Sequence, residues 1–338
     1  MQTTPEKLLT FRSGGWVLLL AFILTLFAAA LVLYPIYTTG GLVRSVGDGK
    51  NVDSYGFDLS NLTLPRSSLI ASGNPKDGIQ SIPVSLVETI TPEAVKLIAA
   101  NEHIRFLVPN DEVIGLVING EARAYPLRIM VLHELVNDIL GGKDGIPIAI
   151  TYSPLSDSVV VFDRRIDGDD KPAPEFGNSG LLIDSTSVFF DRQSDNKLES
   201  LWPQLALAAV SGPKAGQKLT LIPYTLTTWE SWTKLHPNTR VFQGKRTLKE
   251  EYGAEPYSTY RSNDVLRFPV DPLWKHPGIP KKTRITATST DNGKTWQAAF
   301  FNLAPPPTPA TEQISTSIFA WYAVHQPDTD YSSVLGTK

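Results

Sequence analysis

The stretch 148–164, IAITYSPLSDSVVVFDR, decides how this chain is read. Two apolar runs rich in Ile and Val flank a short polar turn, the pattern of buried strands joined head to tail. The turn carries Ser153 and Ser156 on either side of Pro154-Leu155. Paired polar residues on a rigid strand–turn–strand frame are a common seat of chemistry. The competing reading is that both hydroxyls cap backbone groups in a tight turn.

Upstream, residues 113–125 alternate around Asn119-Gly120. An Asn-Gly pair supplies both positive-φ residues of a type I′ turn, so a β-hairpin is expected here. Pro126 and Gly141 then bracket Ile129, Leu132, Leu135, Val136, Ile139 and Leu140 at helical spacing. The spacing predicts one helix over 126–140, with His133 and Asn137 at the edge of its apolar face and Glu134 and Asp138 toward solvent.

Downstream, short strands are expected at 180–184 and 187–191, and a turn or two of helix within 198–210. Thr227-Thr228-Trp229-Glu230 matches a capping box, predicting a helix that stops before Pro237. A second hairpin is expected at 285–301 around Asn292-Gly293. A turn is read at 167–170 and a stiff proline connector at 305–309. Trp232…His236-Pro237-Asn238-Thr239 is echoed by Trp321…His325-Gln326-Pro327-Asp328-Thr329, each following an Asn-Gly hairpin. A duplicated β-rich unit would produce this echo.

Residues 16–36, WVLLLAFILTLFAAALVLYPI, are uncharged. At about 1.5 Å per residue they reach roughly 30 Å, the thickness of a bilayer core. Trp16, Tyr34 and Tyr37 stand at the ends, where amphipathic rings prefer the interface. Ala28-Ala29-Ala30 resembles a cleavage site, but the apolar run continues past it, which favours an uncleaved anchor. Lys7 and Arg12 before the span balance Arg44 and Lys50 after it, so orientation rests on the large C-terminal part being the translocated one. The expected organisation is a cytoplasmic tail 1–15, an anchor 16–36, a tether and irregular segment 37–80 rich in Gly, Ser, Asn and Asp, and an extracytoplasmic domain 81–338, as one body or two related lobes.

The 338 residues are 42% hydrophobic and 19% charged with net charge -3, an ordinary globular balance. No basic stripe or nucleic-acid motif occurs, which argues against a nucleic-acid partner. The chain has no cysteine, which excludes disulfides, thiolate zinc sites, iron–sulfur clusters and cysteine nucleophiles.

Several motifs together resemble the domain of unknown function 3179 family. They are Gly120-Glu121-Ala122-Arg123-Ala124-Tyr125-Pro126-Leu127, His133-Glu134-Leu135-Val136-Asn137-Asp138 and Thr151-Tyr152-Ser153-Pro154-Leu155-Ser156. Gly177-Asn178-Ser179-Gly180, Asp191-Arg192-Gln193, Ser200-Leu201-Trp202-Pro203-Gln204 and the closing Trp321 to Thr329 continue the run, in order over about 82–331. The resemblance implies an extracytoplasmic prokaryotic domain with no agreed activity. It also implies a Cys-Pro-Leu-Cys where this chain has Ser-Pro-Leu-Ser. Thiolates are soft ligands and good nucleophiles, and serine hydroxyls are neither at neutral pH, so thiol chemistry is lost here.

Candidate catalytic residues are His133, Glu134, Ser153 and Ser156. His133-Glu134 begins like H-E-x-x-H, but position 137 is Asn and the second zinc ligand is missing. A metal site using His133 and Glu134 with carboxylates elsewhere is the weaker alternative, and no other cofactor is expected. A serine nucleophile would need His133 against the turn, and no G-x-S-x-G motif surrounds either serine. Candidate ligand-binding residues are Asn137, Arg164, Arg192 and Trp202. Asp163-Arg164 and Asp191-Arg192 each end an apolar strand, as salt bridges between strands or as an anion cleft. The sequence thus predicts an α+β fold, a β-hairpin-rich mixed sheet with a few covering helices behind one transmembrane helix. The expected role is a non-catalytic module binding a ligand or another membrane protein, periplasmic in a bacterium. A metal-binding protein or hydrolase around His133, Glu134, Ser153 and Ser156 is the alternative.

Overall fold

The computed structural model describes residues 15–38, 46–101, 106–166, 172–248, 250–302 and 312–336. The chain divides into two compact units, Met1–Ser45 and Val46–Lys338. In the first, helix α1 (Gly15–Thr38) runs 24 residues without a charged side chain. Among the described residues, no helix is long and apolar enough to cross a membrane. The expected anchor 16–36 is therefore seen as a helix and not as an established span. Residues 1–14 of the expected tail, residues 39–45, the turn 167–170 and the connector 305–309 lie outside the described residues.

The second unit is a mixed α+β body with several sheets and few helices. Its early elements are β1 (Leu69–Ala71), β2 (Thr89–Ile90), α2 (Pro92–Asn101), β3 (Glu112–Ile118), β4 (Glu121–Pro126) and α3 (Leu127–His133). The middle of the chain forms β5 (Leu135–Leu140), β6 (Ile146–Ser153), β7 (Ser158–Asp163), β8 (Phe176–Ile183), β9 (Thr186–Asp191), β10 (Leu201–Pro203) and β11 (Thr220–Leu221). The last part holds β12 (Thr225–Thr228), α4 (Trp229–Leu235), β13 (Arg240–Phe242) and α5 (Ser258–Arg261). It closes with β14 (Arg284–Ser289), β15 (Trp296–Phe300), β16 (Glu312–Ser317), α6 (Ile318–His325) and β17 (Thr329–Asp330).

One sheet runs β12-β3-β4-β13-β2, a second β17-β15-β14-β16-β7-β6-β5 with β11 on β7, and a third β1-β8-β9-β10. The opening stretch is the β6–β7 hairpin, in register from Ile148↔Asp163 to Ser153↔Ser158. Both Asn-Gly turns have the expected backbone: Asn119 and Gly120 at φ 49° and 80°, Asn292 and Gly293 at 59° and 70°.

The two hairpins sit in the same topological setting. The first strand of β3–β4 pairs antiparallel with β12, α4 follows β12, and β13 returns parallel to β4. The β14–β15 hairpin repeats this order with β16, α6 and β17. The echoed residues do the same job in each copy. Trp232 packs on His236 with ring centroids 4.1 Å apart and donates to Thr239 Oγ1 at 2.9 Å. Trp321 stacks on His325 at 4.0 Å and donates to Thr329 Oγ1 at 3.0 Å. The copies differ in the connection to the third strand. Between β15 and β16 it spans 301–311, whereas between β4 and β12 it spans 127–224 and carries α3 and β5 to β11.

Two expectations are corrected. Within the expected tether and irregular segment 37–80, residues 46–80 are not a tether but irregular structure packed into the folded unit: Tyr55 is fully buried, and Leu69–Ala71 pairs with β8. Its ring and the side chains of Leu69, Leu181 and Phe190 share one apolar cluster, and burying such surface offsets the cost of ordering the segment. The helix expected over 126–140 ends at His133, and residues 135–140 pair with β6 instead. The apolar positions 135, 136, 139 and 140 suit either a helix face or a strand buried on both sides. Tertiary contacts choose the strand: Asp138 accepts from Arg123 Nη1 and Tyr125 Oη, both at 2.6 Å. The turn of helix expected in 198–210 is present as the 3₁₀ turn Gln204–Ala206, after strand β10.

Candidate functional site

The break between α3 and β5 falls on Glu134, which caps the helix in the left-handed region at φ 58°. A non-glycine residue pays about 1–2 kcal/mol for that conformation, and such strain gathers at functional sites. Two backbone bonds hold it there: Glu134 N–H donates to Met130 O at 2.7 Å, and Tyr152 N–H donates to Glu134 O at 2.8 Å. The side chain is thereby directed inward, and Glu134 is 6% exposed rather than solvent-facing as a continued helix would make it.

The β8–β9 hairpin supplies the facing residues. Ser187 Oγ lies 2.7 Å from Glu134 Oε2 and 3.1 Å from Ser153 Oγ, and Ser187 N–H also donates to Ser153 Oγ at 3.1 Å. A register shift in β8 between Asn178 and Leu181 turns Asn178 toward the α3–β5 junction. Its Nδ2 donates to His133 O at 2.9 Å and Ile79 O at 2.8 Å, while its buried Oδ1 has no partner. Glu134, Ser187 and Asn178 share the wall of a cavity of about 200 Å³ with Leu155, Tyr257 and Arg267. Arg267 stacks over the rings of Tyr257 and Tyr260 at 5.5 and 5.0 Å.

Burial pushes the Glu134 carboxyl up to about 7, against the opposing pull of the Ser187 hydroxyl. Burial, then the Glu134 charge, pushes the Tyr257 phenol up to about 12. Near neutral pH both protonation states of Glu134 are therefore accessible. When it is protonated, its O–H donates to Ser187 and Ser187 can donate to Ser153. When it is ionised, Ser187 donates to Glu134 and Ser153 can donate to Ser187. The three groups form a short relay whose direction follows the carboxyl.

The other candidates are placed differently. His133 is buried, with Nδ1 2.8 Å from Gln80 O and Nε2 2.7 Å from Tyr252 Oη. A carbonyl can only accept, so Nδ1 carries the proton and Nε2 accepts from Tyr252, which itself accepts from Lys245 N–H at 2.7 Å. Burial lowers the His133 pKa. Both nitrogens are committed, so His133 is not the base for a serine. Ser153 is fully buried behind Ser187, and Ser156 lies with Ser158 and Thr316 in a sealed hydroxyl cluster at 2.8 and 2.6 Å. Among the described residues, no group of three or more His, Cys, Asp or Glu could hold a metal ion.

Asn137 is fully buried. It donates to Ile82 O at 3.2 Å and Phe176 O at 3.0 Å and accepts from Phe176 N–H at 2.8 Å. Arg164 is spent on the carbonyls of Ile148, Pro174 and Asp138. Arg192 is clamped by Asp77 and Ser81, and Trp202 is a core ring whose Nε1 donates to Asp191 at 2.9 Å. The two Asp-Arg pairs, expected as salt bridges between strands, take other partners: Asp163 binds Arg165, Asp191 binds Lys214 at 2.7 Å, and Arg192 binds Asp77.

With this geometry stands one comparison. The family model described as "Protein of unknown function (DUF3179)" matches residues 76–327. The chain belongs to the DUF3179 family. No curated protein and no solved structure matches it. The matched span of this DUF3179 member contains every residue of the relay and all of the cavity wall except Ser72 and Asn74. Sequence reasoning missed Ser187, Asn178, Tyr257 and Arg267. The one local signal was Gly177-Asn178-Ser179-Gly180, because glycines inside a strand mark bulges; Gly180 indeed takes φ 79°.

Proposed function

We propose that this DUF3179 member is a membrane-anchored, extracytoplasmic protein that binds a small polar ligand in the cavity beside Glu134. The observation that carries the binding role is the strained, buried Glu134 on the wall of that cavity, within 2.7 Å of Ser187. Convergent polar groups with a shifted carboxyl in a concave site are the usual mark of ligand recognition. Anchoring is supported by the uncharged sequence of α1, whose apolar side chains between Trp16 and Phe27 are exposed. Such a surface suits lipid or the helix of a neighbouring membrane protein.

A second reading has one observation in its favour. A carboxyl near 7 in a cavity can act as a general acid or base, so proton transfer by Glu134 is the enzymatic alternative, with Ser153 and Ser156 buried away from any substrate. A metal at His133 and Glu134 would have to displace Tyr252 or Gln80 from His133.

The test has two arms. Full-length protein produced in a bacterium should sediment with membranes, resist carbonate extraction, and lose its domain to protease added to spheroplasts; recovery in the soluble fraction overturns the anchor. Thermal stabilisation of the purified full chain by a small-molecule library should be lost in Leu155→Trp, which fills the cavity. Hits that stabilise both proteins equally overturn the site.

A further inference from the structure

The class of ligand follows from the charges on the cavity wall. Glu134 is the one acidic and Arg267 the one basic side chain among the residues lining it. Arg267 has no acidic partner among the described residues, and its guanidinium lies over Tyr257 and Tyr260. Cation–π contact with two rings holds the guanidinium there without using up its N–H donors. On the Glu134 side, Asn178 is 5% exposed, holds two carbonyls with Nδ2, and leaves Oδ1 as an orphan acceptor. Oδ1 is itself sealed from solvent, so no guest reaches it. With Glu134 protonated, the wall carries one uncompensated positive charge, at Arg267. The cavity volume of about 200 Å³ suits a small guest.

We infer that the cavity takes a small organic acid, its carboxylate on Arg267 and a hydroxyl or amino group at its other end against Glu134. Glu134 and Ser187 complete the polar end by hydrogen bonds. This deepens, and rests on, the reading of the cavity as a ligand site. A bidentate arginine–carboxylate pair sets the orientation, and Tyr257 and Leu155 supply the apolar wall.

Calorimetry on the full chain with lactate, glycine, succinate and the neutral control glycerol tests it. At least one acid should bind where glycerol does not, and Arg267→Met, at an exposed position, should weaken it at least about tenfold. Arg267→Lys should restore part of the affinity, and Leu155→Trp should abolish it. If glycerol binds as well as the acids, or Arg267→Met changes nothing while Leu155→Trp still blocks, the acid class is overturned and the cavity stands. If no probe binds at millimolar concentration, or binding survives Leu155→Trp, both readings fall.

Discussion

Ser187 Oγ lies 2.7 Å from Glu134 Oε2, joining a strand of the β8–β9 hairpin to the left-handed residue that ends α3. The contact links the pH response of the fold to the candidate site, because it is the hydrogen bond that favours the ionised form of an otherwise desolvated carboxyl.

Glu134 should make stability fall as pH rises. Its folded value of about 7 lies above the ordinary 4.5, so the folded state holds the proton more tightly. The contribution is full below about 4.5 and is lost as pH climbs through 7, at most about 3 kcal/mol in all. His133 and His325, both lowered by burial, act oppositely, their contribution falling away as the solution is acidified below 6.5. The isolating measurement is the difference in urea midpoint between wild type and Glu134→Gln at pH 5 and at pH 8. The variant should be relatively more stable at pH 8 by roughly 1–3 kcal/mol; a constant difference refutes the assignment.

Ser187→Ala should raise the Glu134 pKa further, since it removes the hydroxyl that stabilises the carboxylate. The stability cost should be small, about 1 kcal/mol. Carboxyl titration by difference infrared spectroscopy, with Glu134→Gln identifying the band, reads the direction; a downward shift contradicts the relay.

Asn137→Ala should be strongly destabilising, by roughly 3 kcal/mol, although the residue does not line the Glu134 cavity. Three buried hydrogen bonds to Ile82 and Phe176 are lost together. Chemical denaturation checks this, and an effect below about 1 kcal/mol would show that the strand junction is held by something else.

Trp232→Phe and Trp321→Phe should behave alike. Each removes an indole N–H bonded to a threonine, at 2.9 and 3.0 Å, and thins a ring packed on histidine. Each should cost about 1–3 kcal/mol, whereas Trp202→Phe should cost more, because it leaves Asp191 Oδ1 short of a donor in a fully buried setting. Melting temperatures of the three variants rank them.

Turn chemistry and short-range pattern were enough to locate β3–β4, β6–β7 and the Asn-Gly turn of β14–β15, since positive φ at Asn-Gly and the alternation beside it are properties of a few adjacent residues. The Trp-His-Thr echo was legible for the same reason. Glu134 was legible as a residue and not as an environment. Residues 135–140 satisfy helix and strand periods equally, and only pairing with β6 and the Asp138 contact to Arg123 and Tyr125 turn them into a strand. That choice places the left-handed break at Glu134, buries the carboxyl, and sends His133 to Tyr252 instead of toward the serines. Ser187, Asn178, Tyr257 and Arg267 come from segments as much as 133 positions beyond Glu134, so no local pattern could bring them together. The strand–turn–strand at 148–164 was settled by its own residues; what stands against Ser153, and that Ser153 is sealed behind Ser187, was decided only when distant backbone pairings closed the cavity.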